Sequence, residues 1–211
     1  MAGPRIFIIT GAKGGGKSSF AAALAKILAG KNCKAGGLIA PGRVEGGIRS
    51  GFSLAYPDGS IIMPLATRTT SPRTGNGPTD GSIIMPLPVG IASPRTGTGP
   101  TAGSFVFIPE AIEKGLSIIQ KAVKERCDVI FLDEVGAAEM EGRIWAAALS
   151  SMLDSHTGIT VLVTSRRNLT SVMKHWDLVP AGIFDIDNIT PAKAAEAIIS
   201  HIKSTGNYGK G

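Results

Sequence analysis

The chain predicts a three-layer α/β domain, a mainly parallel β-sheet between helices with a β-hairpin arm, and three observations carry that prediction. A short apolar run, residues 6–10 (IFIIT), leads directly into GAKGGGKS at residues 11–18 and then into an alanine- and leucine-rich stretch. Strand-like and helix-like segments alternate from there towards the end of the chain, which is the pattern of βα units around a parallel sheet. A second apolar run, residues 129–132 (VIFL), ends in the carboxylate pair Asp133-Glu134.

Taken in order, residues 5–10 form the first strand and residues 17–29 the first helix, stopped by Gly30. A second strand falls near residues 37–40. Residues 49–56 and 61–65 alternate apolar and polar around the turn Pro57-Asp58-Gly59-Ser60, the signature of a β-hairpin. Residues 108–126 carry Ile112, Leu116, Ile119 and Val123 at helical spacing, with Pro109 in the first turn. Residues 129–132 read as a buried parallel strand, 139–153 as a helix, and 160–164 and 183–186 as strands. The last helix opens with Thr190 as its cap and Pro191 as its first residue. One duplication interrupts the scheme. Residues 58–79 and 80–101 match without gaps at 16 of 22 positions. Two copies do not build a solenoid, so the whole of 1–211 reads as one domain carrying 58–101 as a lengthened hairpin or loop insertion. Such insertions cost little stability.

The strand–glycine loop–helix order gives G-x-x-x-x-G-K-S its chemistry. Gly11, Gly14, Gly15 and Gly16, with Ala12 and Lys13 between them, let the backbone turn its N–H groups onto phosphate oxygens. The N-terminus of the helix that follows adds its dipole, carried by Lys17, Ser18 and Ser19. Lys17 is placed to reach the β- and γ-phosphates and the Ser18 hydroxyl to ligate Mg²⁺. Asp133, at the end of a buried strand, is the second candidate for holding Mg²⁺, through its water shell. Glu134 is the candidate base that orients and polarises water. The cluster Thr164-Ser165-Arg166-Arg167-Asn168 ends another strand. Thr164 or Ser165 can approach the γ-phosphate there, and Arg166 or Arg167 can neutralise charge in the transition state, with Arg166 the first candidate. ATP or GTP with Mg²⁺ is the expected substrate, and hydrolysis the expected reaction. Phosphoryl transfer to a small acceptor, or a nucleotide switch acting on a protein through the duplicated segment, are the alternatives.

Composition narrows the setting. A hydrophobic fraction of 43% in 211 residues supports one substantial core. No apolar run approaches a membrane span, since Lys26 interrupts the best one, and the first strand replaces a leader's apolar region. Cys33 and Cys127 lack C-x-x-C spacing, so a cytoplasmic protein with inert thiols is expected. The net charge of +6 is scattered, without basic blocks or interleaved aromatics, which makes nucleic acid an unlikely partner. His156, His175 and His201 form no metal-binding set, and Trp145 and Trp176 fall in helical contexts.

The chain resembles the small P-loop nucleoside-triphosphatases described from thermophiles, a family that includes the cancer-related nucleoside-triphosphatase. Four segments carry the resemblance: TGAKGGGKSS, AGGLIAPGRVEGGIRSGFSL, DVIFLDEVGAAEME with Glu139 near its end, and TPAKAAEAIISHI preceded by Asp187-Asn188. Lys13 and Gly14-Gly15 stand where a proline-containing loop is more usual, and Ala137 stands in place of a proline. The resemblance implies a P-loop NTPase fold and slow hydrolysis of ATP, GTP and other triphosphates with low base specificity. The duplicated segment is not implied by it.

Overall fold

The computed structural model describes residues 5–69 and 99–204. In chain order the elements are β1 (Arg5–Thr10), α1 (Lys17–Ala29), β2 (Ala35–Leu38), β3 (Gly42–Glu45), β4 (Ile48–Ala55), β5 (Ile61–Arg68), β6 (Thr101–Ala102), β7 (Phe105–Phe107) and α2 (Pro109–Lys124). They continue with β8 (Val129–Leu132), α3 (Ala137–Met140), α4 (Ala146–Ser155), β9 (Ile159–Val163), α5 (Leu169–His175), β10 (Gly182–Asp185) and α6 (Pro191–Ser204).

Five strands build a wholly parallel sheet in the order β10-β1-β9-β8-β2. Their near-continuous apolar sequences follow from burial on both faces. The two-residue period of a strand divides them between two cores. Ile6, Ile8, Leu38, Ile130, Leu132 and Leu162 face α2, α4 and the second sheet. Phe7, Ile9, Val129, Phe131, Val161 and Val163 face α1 and α6. Close approach within the sheet leaves no choice of residue at Gly37. Its φ is 88°, and a methyl group there would lie 2.1 Å from the Phe131 carbonyl oxygen.

The second sheet is antiparallel, in the order β3-β4-β5-β7-β6. An isolated bridge between Ile39 and Ala55 joins its base to the parallel sheet. The hairpin expected around residues 57–60 is β4 and β5. Its turn is closed by the Asp58 carboxylate, which accepts from the Ser60 N–H at 2.8 Å and from the Ser60 hydroxyl at 2.5 Å. The duplicated stretch enters and leaves within this sheet. Its first residues form the turn and β5, where Leu65 and Ala66 are fully buried, and its last residue begins β6. Residues 70–98, the rest of that stretch, lie outside the described residues.

Three expectations change. The second strand lies earlier, at Ala35–Leu38, and residues 39–41 cross to the second sheet instead. The single helix expected over 139–153 is two, α3 and α4. Gly142 (φ 77°) and Ile144 (φ 50°) take left-handed backbone between them, which no α-helix accommodates. The interruption seats Trp145, fully buried against Gly115 of α2. Finally, α5 and the strands β3, β6 and β7 were not foreseen, because all are too short for their periodicity to register. Among the described residues no helix is long and apolar enough to cross a membrane.

Deleting residues 80–101 joins Thr79 to Ala102 and puts Gly77-Pro78-Thr79 where the identical Gly99-Pro100-Thr101 stood. The Pro100 carbonyl accepts the Phe107 N–H at 2.9 Å, a bond the substituted triplet can repeat. The deleted chain is expected to melt, by circular dichroism, within about 4 °C of the full chain, the shift that about 1 kcal/mol produces at this size. A larger fall would show that the second copy contributes to the core.

Candidate functional site

The parallel order places β9 between β1 and β8, so the carboxyl ends of these three strands open side by side into one cleft. Ligands bind at such strand ends because helix N-termini and loop backbone converge there. Three backbone bonds hold the ends in register. Val135 N–H donates to Val163 O (3.0 Å), Thr164 N–H to Ile9 O (3.0 Å) and Arg166 N–H to Gly11 O (3.0 Å). The cleft has a volume of about 630 Å³. Gly11, Ala12, Lys13, Gly14, Gly16, Lys17, Ser18 and Ser19 line one wall, and Asp133, Glu134 and Gly136 line another. Between them lie Thr164, Ser165, Arg166 and Arg167, while Arg49 and Phe52 of β4 reach in from the second sheet.

Gly14 (φ 79°) and Gly16 (φ 94°) adopt left-handed backbone, and Gly16 caps α1 in that conformation. A side chain at either position would oppose the turn that directs the loop's N–H groups into the cleft. Gly15 does not line the cleft but tucks under the loop, its N–H donating to Ala12 O at 3.1 Å. The first turn of α1 holds no acidic residue, leaving its N–H groups and positive dipole end available to an anion. Lys17 Nζ donates to the Ala12 carbonyl at 2.9 Å, spanning the loop from within.

Asp133 is 1% exposed. One carboxylate oxygen accepts from Ala40 N–H at 2.9 Å and the other from Glu134 N–H at 2.7 Å. The Ser18 hydroxyl lies against the same carboxylate and 3.3 Å from the Ala40 carbonyl. Burial pushes the Asp133 carboxyl above its ordinary range, against the pull of Ser18, the two N–H groups and Lys17. A hydroxyl and a carboxylate, both hard oxygen donors, fit Mg²⁺, which takes one or two protein oxygens and completes its shell with water and phosphate. With both oxygens already engaged by N–H groups, Asp133 suits contact through metal-bound water. Among the described residues no group of three or more His, Cys, Asp or Glu forms a self-sufficient metal cage.

Glu134 has φ 60°, an uncommon conformation for a residue with a Cβ and one that costs energy unless its surroundings impose it. Its side chain is exposed to the cleft, with protein atoms packed around it. That crowding, followed by repulsion from Asp133, pushes its carboxyl up to about 7, with Lys17 and Arg49 pulling the other way. A carboxylate of that basicity accepts a proton near neutral pH. Behind it, Glu139 is 2% exposed and accepts from Gly136 N–H at 2.8 Å, fixing the turn after Glu134. Burial raises its carboxyl to about 7 as well.

The cluster after β9 separates into distinct environments. Thr164 is buried, and its hydroxyl has no hydrogen-bond partner among the described residues. The Arg166 guanidinium is bound to Asp185 at 2.7 Å and Asp187 at 2.6 Å, and these bonds tie the ends of β9 and β10 together. In this arrangement its charge is matched by two carboxylates rather than left for the phosphate loop. His156 is buried against the Ile159 carbonyl at 3.2 Å, a packing role. Arg49 is the cleft residue to which the sequence assigned no role. It lies in a glycine-rich hairpin whose periodicity does not reveal the direction of a side chain.

A parallel sheet, a glycine loop opening a helix, and a strand-end Asp-Glu pair in one cleft together define a phosphate-loop nucleotide-binding protein. A family model described as NTPase matches residues 91–197, half of the chain, and the chain belongs to this NTPase family. Over 202 residues it is 25% identical to the nucleoside-triphosphatase THEP1 of Methanothermobacter thermautotrophicus, covering 95% of this chain and 96% of that relative. Over 164 residues it is 27% identical to the nucleoside-triphosphatase THEP1 of Methanopyrus kandleri, covering 77% and 75%. Two solved structures share the fold at 17% identity. The human cancer-related nucleoside triphosphatase has a TM-score of 0.58 and covers 98% of this chain and 100% of its own. THEP1 from Aquifex aeolicus has a TM-score of 0.57, covering 94% and 98%.

Two measurements probe the carboxylates behind the loop. Replacing Glu134 by Gly relieves the left-handed strain and the repulsion from Asp133, so denaturant unfolding should show a gain of about 1 kcal/mol. A loss would mean that the side chain, and not the turn, holds this conformation. Glu139 binds its proton more tightly folded than unfolded. Its contribution is therefore fully present below the ordinary carboxylate value and is lost as pH rises towards 7. Glu139→Gln keeps an acceptor for Gly136 N–H without titrating. The variant should gain stability relative to the parent as pH rises from about 4.5 to 7, and a pH-independent difference would contradict the raised value.

Proposed function

We propose that this chain binds a nucleoside triphosphate with Mg²⁺ and hydrolyses it to the diphosphate and phosphate, accepting ATP and GTP without strong choice of base. The observation that carries this reading is the meeting of Ser18 and Asp133 in one hydrogen-bonded unit, with Glu134 one residue beyond. These groups would supply a cation site and a base across from a loop that suits the β- and γ-phosphates.

In this reading the N–H groups of Lys13, Gly14, Gly16, Lys17 and Ser18 and the α1 dipole bind the phosphates, and Lys17 exchanges its bond to the Ala12 carbonyl for the β- and γ-oxygens. Ser18 and Asp133 would hold Mg²⁺, which would supply charge neutralisation to the phosphates. The buried Thr164 hydroxyl, between the two walls, orients water or a γ-oxygen. Glu134 accepts the proton of the water that attacks the γ-phosphorus, and the β–γ bridging bond breaks with its electron pair going to the diphosphate. The relatives named as nucleoside-triphosphatases support the same activity.

Phosphate release from Mg-ATP and Mg-GTP, with no acceptor added, is the direct test. Glu134→Gln should still bind triphosphate while kcat falls by about 10²–10⁴, the usual contribution of a general base. Lys17→Ala should lose binding and turnover together while far-UV circular dichroism stays unchanged. Phosphate transfer that appears only when a small acceptor is supplied would replace hydrolysis with a kinase activity.

A further inference from the structure

The second sheet, which contributes nothing to the phosphate loop's own backbone, sends one cationic side chain into the cleft. Arg49 starts from β4 and is held along its length. A methyl group at Gly42 would lie 2.8 Å from Nε and 3.1 Å from Cζ, so the guanidinium passes over a backbone that only glycine leaves open. Phe52 supports it from the other side, its ring centroid 5.3 Å from Cζ, a cation–π distance. The far end, Nη2, stands 3.8 Å from the Cβ position of Gly14, at the crest of the phosphate loop. Its charge is felt by Glu134.

Among the described residues Arg49 forms no ion pair with a carboxylate, whereas Arg166 has two and Lys17 donates to the loop's carbonyl. A partly buried guanidinium held by packing and not by an ion pair keeps its donors available to an anion. Its place between the loop crest and the base is where the three γ-phosphoryl oxygens must lie if Gly14 and Lys17 bind the β- and γ-phosphates.

We propose that Arg49 is a catalytic residue supplied within the same chain, donating to a γ-phosphoryl oxygen and neutralising the charge that builds there during hydrolysis. The inference rests on the hydrolytic reading above. Water oxygen bonds to the γ-phosphorus, Glu134 takes the water proton, and the bridging oxygen leaves with the diphosphate. Arg49 stays protonated throughout, and its hydrogen bonds shorten as charge moves onto the oxygens it faces. The antiparallel sheet thereby acquires a role in catalysis, since β3 and β5 flank β4 and fix the direction of Arg49.

The test compares the parent chain with Arg49→Gln and Arg49→Lys. It measures steady-state phosphate release and equilibrium binding of two probes, the non-hydrolysable Mg-AMP-PNP and Mg-ADP with aluminium fluoride, which imitates the transition state. Arg49→Gln is expected to lower kcat by about 10³, the lower end of what a transition-state arginine supplies. It should bind AMP-PNP nearly as the parent does and lose most of the tight binding to ADP–aluminium fluoride. Arg49→Lys, which keeps the charge, should recover part of both and answers the question if the glutamine variant does not fold. Parent-like turnover in both variants, or an equal weakening of the two probes, would overturn the role of Arg49 alone. A parent chain that binds AMP-PNP yet releases no phosphate would overturn the hydrolytic reading and this inference with it.

Discussion

Asp133 is the knot on which the cleft depends. Its carboxylate takes the Ala40 N–H at 2.9 Å and the Glu134 N–H at 2.7 Å, and it meets the hydroxyl of Ser18 in the first turn of α1. Three stretches far apart in sequence, the start of α1, the exit from β2 and the end of β8, are therefore tied at one buried group. A buried carboxylate left without such donors would cost several kcal/mol. The same bonds that satisfy it also place the two hard oxygens, Ser18 and Asp133, side by side. Stability and the proposed cation site would come from one set of contacts.

Around that knot the backbone takes left-handed conformations at three positions that line the cleft. Gly14 and Gly16 take left-handed conformations at little cost because they lack Cβ. Glu134 takes one in spite of its Cβ, and the surrounding bonds to Asp133, Val163 and Glu139 over-determine it. Crowding raises Glu134 and Glu139 to about 7, so two carboxyls titrate near neutrality within one turn of chain. Both line the cleft, but Glu134 is exposed there. Glu139 is buried behind it and holds the Gly136 N–H, a division of labour set by burial and direction rather than by residue type.

The arginines illustrate how partners decide roles. Arg166, at the end of β9, sits where the strand order suggests a phosphate contact, but Asp185 and Asp187 bind it at 2.7 and 2.6 Å. These pairs are half-exposed and so contribute modestly to stability, while fixing β10 against β9. Arg49 comes from the other sheet and is steered by Gly42 and Phe52 towards Gly14. Under the role proposed for it, Arg49 would face the phosphates, whereas Arg166 is already paired.

Much of this could be read from residue order. The glycine loop, its flanking strand and helix, the buried VIFL strand with its terminal carboxylates and the turn at Pro57-Asp58-Gly59-Ser60 are local signals, and local chemistry specifies them. The break between α3 and α4 escaped notice because Ile144 gives no sign of its left-handed backbone; the packing of Trp145 against Gly115 requires it. The short strands β3, β6 and β7 exist through pairing and not through propensity. In the same way the sequence alone picked out the residues proposed to hold phosphate, cation and proton. The tertiary structure decided which arginine is already paired, because an ion pair is settled by what stands across from a side chain, and that neighbour is supplied by the fold.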